Sequence, residues 1–240
     1  MHASVIFYIE ISYMSEGGIK AKVINRQMLN DTIMEFTIET YQEMNVIPGQ
    51  WALFLFEDEQ WTFQRSYSII DHDTDNERTM LIFAIKLIEN GRASTVFKNT
   101  HIGDEVMIRW IFGNFAIQNT QLPKVFIWTW VGIAPLLNMA KYCTTKKQLF
   151  FSVSYKTDLF YEDRIKKIHD LEYTMYLSRE NTISEQQSRL AHYSAGRIDL
   201  TKHHFDHDTE FYVCGRPEVM ENIISSLTLL WYTRIYTEKI

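Results

Sequence analysis

The feature that most constrains this chain is a change of hydrophobic rhythm partway along it. From about residue 20 to 115, short β-type runs follow one another with only turn residues between them: AKVINRQ, IMEFTIET, WALFLF, RSYSII, MLIFAIKLI and EVMIRWIF. Strand after strand with that spacing predicts an antiparallel sandwich or barrel. From about residue 124 onward, the strand-like runs KVFIW, QLFFSVSY, TMYLS and EFYVCG alternate with the helix-like segments APLLNMAKYC, YEDRIKKIHDL and PEVMENIISSLTLL. That alternation predicts βαβ units and a parallel sheet. Residues 118–123, QNTQLP, are polar, end in proline and read as the linker. The expected organisation is an N-terminal extension (1–18), an antiparallel β-barrel (19–118) and an α/β domain with a parallel sheet (124–240). The tract 180–194 is polar enough to read as a loop plus a short exposed helix.

Composition narrows the function classes. Apolar residues make up 46% of the 240 and charged residues 22%, which is globular usage. No run of about 18 apolar residues is present to span a bilayer. The first thirteen residues lack a basic start and a small-residue cleavage site, so no signal peptide is expected, and Met14 is an alternative start. A net charge of -6 with both signs interspersed gives no basic stripe for nucleic acid. The two cysteines, Cys143 and Cys214, stand far apart, which excludes a Cys-ligated cluster or Cys-rich zinc site within the chain. A cytoplasmic location is the expectation. Cys143 reads as core, and HHFDHD from His203 reads as a solvated loop rather than a metal site.

Several short motifs carry chemistry. Arg65-Ser66-Tyr67-Ser68 puts a guanidinium fork, a flat ring and a hydroxyl on one strand. Gly91-Arg92-Ala93-Ser94, after the strand ending Ile85-Lys86-Leu87, turns into a helix that Ser94 is expected to cap, a usable anion site. VGIAP, residues 131–135, and CGRP, residues 214–217, each carry a buried strand into a helix with proline near its start. Two such strand ends in one parallel sheet build a nucleotide crevice.

Taken in order, PGQ, RSYS, GxxS, GDEV, GNF, VGIAP, DLFYED, CGxPEVM and IYTEK resemble the ferredoxin-NADP reductase superfamily over roughly residues 19–240. The resemblance implies an FAD-binding barrel, an NAD(P)-binding α/β domain, and hydride passing from nicotinamide C4 to flavin N5. FAD is the commoner flavin of this barrel, and either NADPH or NADH fits. It further implies that Arg65 meets the flavin phosphates, Tyr67 the isoalloxazine ring and Ser68 flavin N5, with Lys86, Gly91 and Ser94 beside the cofactor. Thr129, Gly132 and Pro135 resemble the loop that receives the nicotinamide nucleotide. Cys214, Gly215 and Pro217 resemble the segment beside the nicotinamide, where Arg216 departs from the usual proline. Ser178 and Arg179 stand where relatives hold the adenosine 2′-phosphate or the ribose, a slight tilt toward NADPH. Ser68 and Cys214 are the expected catalytic residues, and no metal is expected. The electron acceptor is a separate partner such as a ferredoxin, a flavodoxin, an oxygenase component or a small molecule.

Against this resemblance, Trp110, Trp128, Trp130 and Trp231 fall at family glycine positions. Glycine at 128 and 130 turns FIWTWVGIAP into FIGTGVGIAP, and the chain has only nine glycines where roughly 17 are ordinary for its length. Two readings stand: UGA codons that the native organism reads as glycine, or true tryptophans in a non-catalytic flavin-binding partner subunit with a degenerate nucleotide site.

Overall fold

The computed structural model describes residues 18–57, 61–129, 132–180 and 191–239. Six antiparallel strands, β1 (Ile19–Met28), β2 (Ile33–Thr40), β3 (Trp51–Glu57), β4 (Thr62–Thr74), β5 (Thr79–Lys86) and β6 (Glu105–Phe112), close a barrel in the order β1-β2-β5-β4-β3-β6. Closure follows from β1 pairing with β6 as well as β2, which leaves no open edge. The interior is aromatic: Phe36, Phe54, Phe83 and Phe97 are fully buried and meet edge-to-face. Each such ring contributes roughly 1.5–3 kcal/mol by leaving water. Phe97 comes from α1 (Arg92–Asn99), so the helix plugs the barrel and its N-terminus is held in place.

The second half is a six-stranded parallel sheet: β7 (Lys124–Thr129), β8 (Lys147–Val153), β9 (Leu171–Leu177), β10 (Ala191–Ala195), β11 (Glu210–Gly215) and β12 (Ile235–Lys239), in the order β10-β9-β8-β7-β11-β12. Strands β8, β9 and β11 are almost entirely buried, because α2 (Ile133–Tyr142) and α4 (Pro217–Leu229) cover opposite faces. The chain leaves β7 in one direction through β8, β9 and β10, then returns to its other side with β11. The order therefore reverses between β7 and β11, where open α/β sheets form their crevice.

Two local expectations are corrected. The helix expected over YEDRIKKIHDL is short: α3 covers Glu162–Lys166, and β9 begins at Leu171 after a turn through left-handed Asp170. In the polar tract, residues 181–190 lie outside the described set, and residues 191–195 form β10 instead of a helix or loop. Among the described residues that strand pairs with β9 alone, at the edge of the sheet. The segment 118–123 that joins the two halves is held by hydrogen bonds. Buried Lys124 donates to Thr120 O, Thr120 Oγ1 and Leu122 O, each at 3.1 Å, and pairs with buried Glu210 at 3.3 Å. Gln118 N–H donates to the Tyr212 hydroxyl at 2.8 Å.

The two halves also touch through side chains. Asn138 in α2 donates to Ile69 O at 3.3 Å, and Lys141 pairs with Asp71 at 2.6 Å. Arg164 pairs with Glu35 at 2.8 Å and Asp71 at 3.5 Å. Gly49 in the PGQ turn has φ 108°, and a Cβ there would lie 2.1 Å from Phe115 O and 2.3 Å from Met139 Cε, so the turn admits only glycine.

Candidate functional site

Strands β3 and β4 pair with Ala52 opposite Tyr67 and Phe54 opposite Arg65. Half-buried Tyr67 sets its ring edge-on to Phe54 at 5.6 Å and Phe97 at 5.2 Å. Burial pushes its hydroxyl up to about 12, with Arg65 pulling it back, so the phenol is neutral at physiological pH. Arg65 is exposed, its guanidinium 5.5 Å from the Phe63 ring. Arg92 approaches the same ring at 4.2 Å.

Arg92 is the first residue of α1, whose N-cap Gly91 brings no side-chain acceptor to the helix's leading N–H groups. Two guanidiniums and a helix N-terminus thus gather around Phe63, a set suited to phosphate oxygens. Only the fold places Arg92 beside Phe63. Ser94 departs from the expected cap: it is buried in the third helical position, and its Oγ accepts the Ile88 N–H at 2.8 Å. A Cβ on Gly91 would lie 3.1 Å from that Oγ and from Ile88 O, so Ser94 and Gly91 shape the turn together.

Ser68 is half-buried on β4 opposite Trp51. The carbonyl of the next residue, Ile69, takes the hydrogen bond from Asn138 in α2. That bond ties the Ser68 strand to the helix following Gly132. Gly132 is the tightest point of the second half: a Cβ would sit 2.9 Å from Cys214 C and 3.0 Å from Cys214 O and Gly215 N. The ends of β7 and β11 therefore meet backbone to backbone at the reversal of strand order. Pro135 is buried in the first turn of α2, and exposed Pro217 opens α4 after Arg216. Thr129 ends the backbone of β7, while its side chain and all of Trp130 lie outside the described residues. The Trp128 indole is 1% exposed, stacked on Phe151 at 4.4 Å and edge-on to Phe160, within the core rather than in solvent.

Cys214 is fully buried, and burial with the Glu238 carboxyl beside it pushes its thiol well above the ordinary range. It is a neutral S–H, not a thiolate. Glu238, opposite Cys214 in the register of β11 with β12, is raised by burial to about 7, and its Oε2 is buried without a hydrogen-bond partner. Sequence reasoning missed Glu238; within IYTEK nothing marks it as facing a buried thiol. Lys86, at the end of β5, is lowered by burial and by the positive charge of Arg216, which brings a barrel cation and a nucleotide-side cation close together.

Ser178, Arg179 and Arg216 line one groove of about 880 Å³ with Ser152, Arg197 and Asn222. The Ser178 hydroxyl donates to Val153 O at 3.1 Å, and its backbone N–H donates to the same oxygen at 2.9 Å. Arg179, Arg197 and Arg216 are all exposed around it, and the groove also holds the carboxylates of Asp199 and Glu218. Arg197 comes from the loop after β10, so its part in the groove was hidden by the polar tract before it.

Among the described residues no group of three or more His, Cys, Asp or Glu side chains has a metal-holding geometry, and no helix is long and apolar enough to cross a membrane. Residues 20–117 match the model of the oxidoreductase FAD-binding domain, and residues 126–226 match that of the oxidoreductase NAD-binding domain. No curated protein sequence matches the chain. Among solved structures, the FAD/NAD-binding domain of nitric oxide dioxygenase from Vibrio cholerae is similar with TM-score 0.79 and 17% identity, covering 94% of this chain and 99% of that one. A ferredoxin NADP+ reductase from Neisseria gonorrhoeae with bound FAD and NADP is similar with TM-score 0.77 and 20% identity, covering 93% and 99%. The cytochrome b5 reductase domain of Ulva prolifera nitrate reductase is similar with TM-score 0.75 and 13% identity, covering 93% and 97%.

Proposed function

Because this chain carries an oxidoreductase FAD-binding domain followed by an oxidoreductase NAD-binding domain, we propose that it is an NAD(P)H reductase of the ferredoxin-NADP reductase type that delivers electrons through FAD to a separate acceptor. The observation that carries this reading is the backbone contact of Gly132 with Cys214 and Gly215 at the reversal between β7 and β11. It brings the ends of the two strands together at the reversal of strand order, the place where open α/β sheets bind their ligands.

The residues present fit both ligands. Arg65, Arg92 and the N-terminus of α1 hold the flavin pyrophosphate, with the Gly91 turn keeping side chains out of its way. Tyr67 offers its face to the isoalloxazine ring. When bound, FAD supplies the chemistry, accepting hydride at N5 and releasing electrons to the acceptor. Ser68 stands at the barrel side of the meeting point, and Asn138 holds its strand against α2. Cys214, kept neutral by burial, would lie on the strand that ends at the nicotinamide site without acting as a nucleophile, and Glu238, opposite it on β12, holds or releases a proton near neutral pH. Arg179, Arg197 and Arg216 around the 880 Å³ groove favour NADPH, whose additional phosphate is the natural partner for clustered guanidiniums. The acceptor is a ferredoxin, a flavodoxin, an oxygenase component or a small molecule, and the protein works in the cytoplasm.

The test is anaerobic titration of the yellow protein with NADH and NADPH in parallel. Bleaching of the flavin absorbance, at lower concentrations of NADPH than of NADH, is the expected result. A protein that purifies without flavin, or whose flavin neither nucleotide bleaches, would overturn the reading; the second outcome would favour a non-catalytic partner subunit.

A further inference from the structure

The chain places glycine where backbone geometry demands it. Of the described glycines, Gly49, Gly103, Gly113, Gly196 and Gly215 all have positive φ. One tryptophan stands in the same kind of place. Helix α4 ends with the Trp231 N–H donating to Thr228 O and the Tyr232 N–H donating to Leu227 O, each at 3.0 Å. This pair of bonds is the Schellman closure, which requires a left-handed residue just past the cap, and Trp231 has φ 66°. Glycine is the usual occupant because a Cβ is crowded there.

Burial does not compensate. Trp231 is 81% exposed, whereas Tyr161, the other aromatic residue with positive φ, is 7% exposed and belongs to the core. The remaining non-glycine cases, Asn90 and Asp170, are short polar residues that tolerate the conformation. Trp110 sits on β6 with 53% of its surface in water, outside the barrel's buried core, so a glycine there leaves that core intact. By contrast Trp51 is half-buried and packs on Phe112 at 5.0 Å.

We propose that residues 110 and 231 are glycine in the native protein, encoded by UGA codons that its organism translates as glycine, and that 128 and 130 share that codon. Trp51 is then a true tryptophan encoded by UGG. The inference concerns the polypeptide itself and holds whether or not the protein turns over NAD(P)H. Its consequence for the site is room: without the Trp128 indole, space opens between Phe151 and Phe160 at the end of β7.

Peptide mass spectrometry on the protein isolated from its native source, read beside the gene sequence, decides the matter. The expected result is UGA at codons 110, 128, 130 and 231, UGG at codon 51, and peptides spanning 110 and 231 lighter by the difference between a tryptophan and a glycine residue. A tryptophan mass at either 110 or 231, or a UGG codon at either, overturns the proposal. Flavin content and activity play no part in this readout, so its failure is separate from any failure of the reductase reading.

Discussion

Glu238 carries a carboxyl group in a place suited to a neutral one. Folding raises its pKa from the ordinary 4.5 to about 7, so the folded chain binds that proton more tightly than the unfolded chain does. Its contribution to stability is full below about 4.5 and is lost as pH rises through about 7. Glu238→Gln fixes the neutral form, and is expected to flatten Tm against pH across that window; an unchanged slope would remove Glu238 as the cause. Arg197→Ala is expected to raise the KM for NADPH about tenfold or more, the worth of one charge-assisted hydrogen bond, and to leave that for NADH nearly unchanged. Equal effects on both nucleotides would place Arg197 away from the additional phosphate. Trp231→Gly, made in the tryptophan-containing chain, should stabilise it by about 1 kcal/mol, read as a higher urea midpoint at constant slope. Residues that sit in contiguous motifs, such as Arg65, Tyr67 and Cys214, could be singled out as candidates from the sequence. It hid Arg92, Arg197 and Glu238, whose meaning depends on neighbours from other elements: a ring on β4, a groove shared with α4, a thiol on β11.

Among elements, the long and regular ones were legible. Strands β2, β3, β5 and β6 and helices α2 and α4 stand where period-2 and period-3.6 patterns put them. Element α3 was overdrawn because Ile165, Ile168 and Leu171 keep a helical spacing while Leu171 is claimed by β9. Tertiary pairing outweighed local pattern there. Strand β10 was missed because an edge strand needs little hydrophobic patterning. The base of β7 and β11 makes an element-scale prediction. Glu210→Ala would leave Lys124 buried with its carboxylate gone, at a cost of about 3–5 kcal/mol in chemical denaturation. Replacing both residues by apolar ones of similar volume should cost much less. If the single and double variants lose equally, the pair is not the source of the loss.

At the scale of the whole molecule, barrel and sheet meet along α2, through Asn138 and Lys141, and at α3, through Arg164. This junction positions the Ser68 strand relative to the Gly132 turn, and no single motif announced it. The clamp at 118–123 bears on how the protein would survive a cell. A polar, proline-ended segment is ordinarily where a protease separates two domains, because it can be drawn out into an active-site cleft. Here the basic residue a trypsin-like enzyme would select, Lys124, is 2% exposed and already committed to Thr120, Leu122 and Glu210. Pulling it out means breaking the first pairings of the parallel sheet, so the joint between the halves is digested only when the second half unfolds.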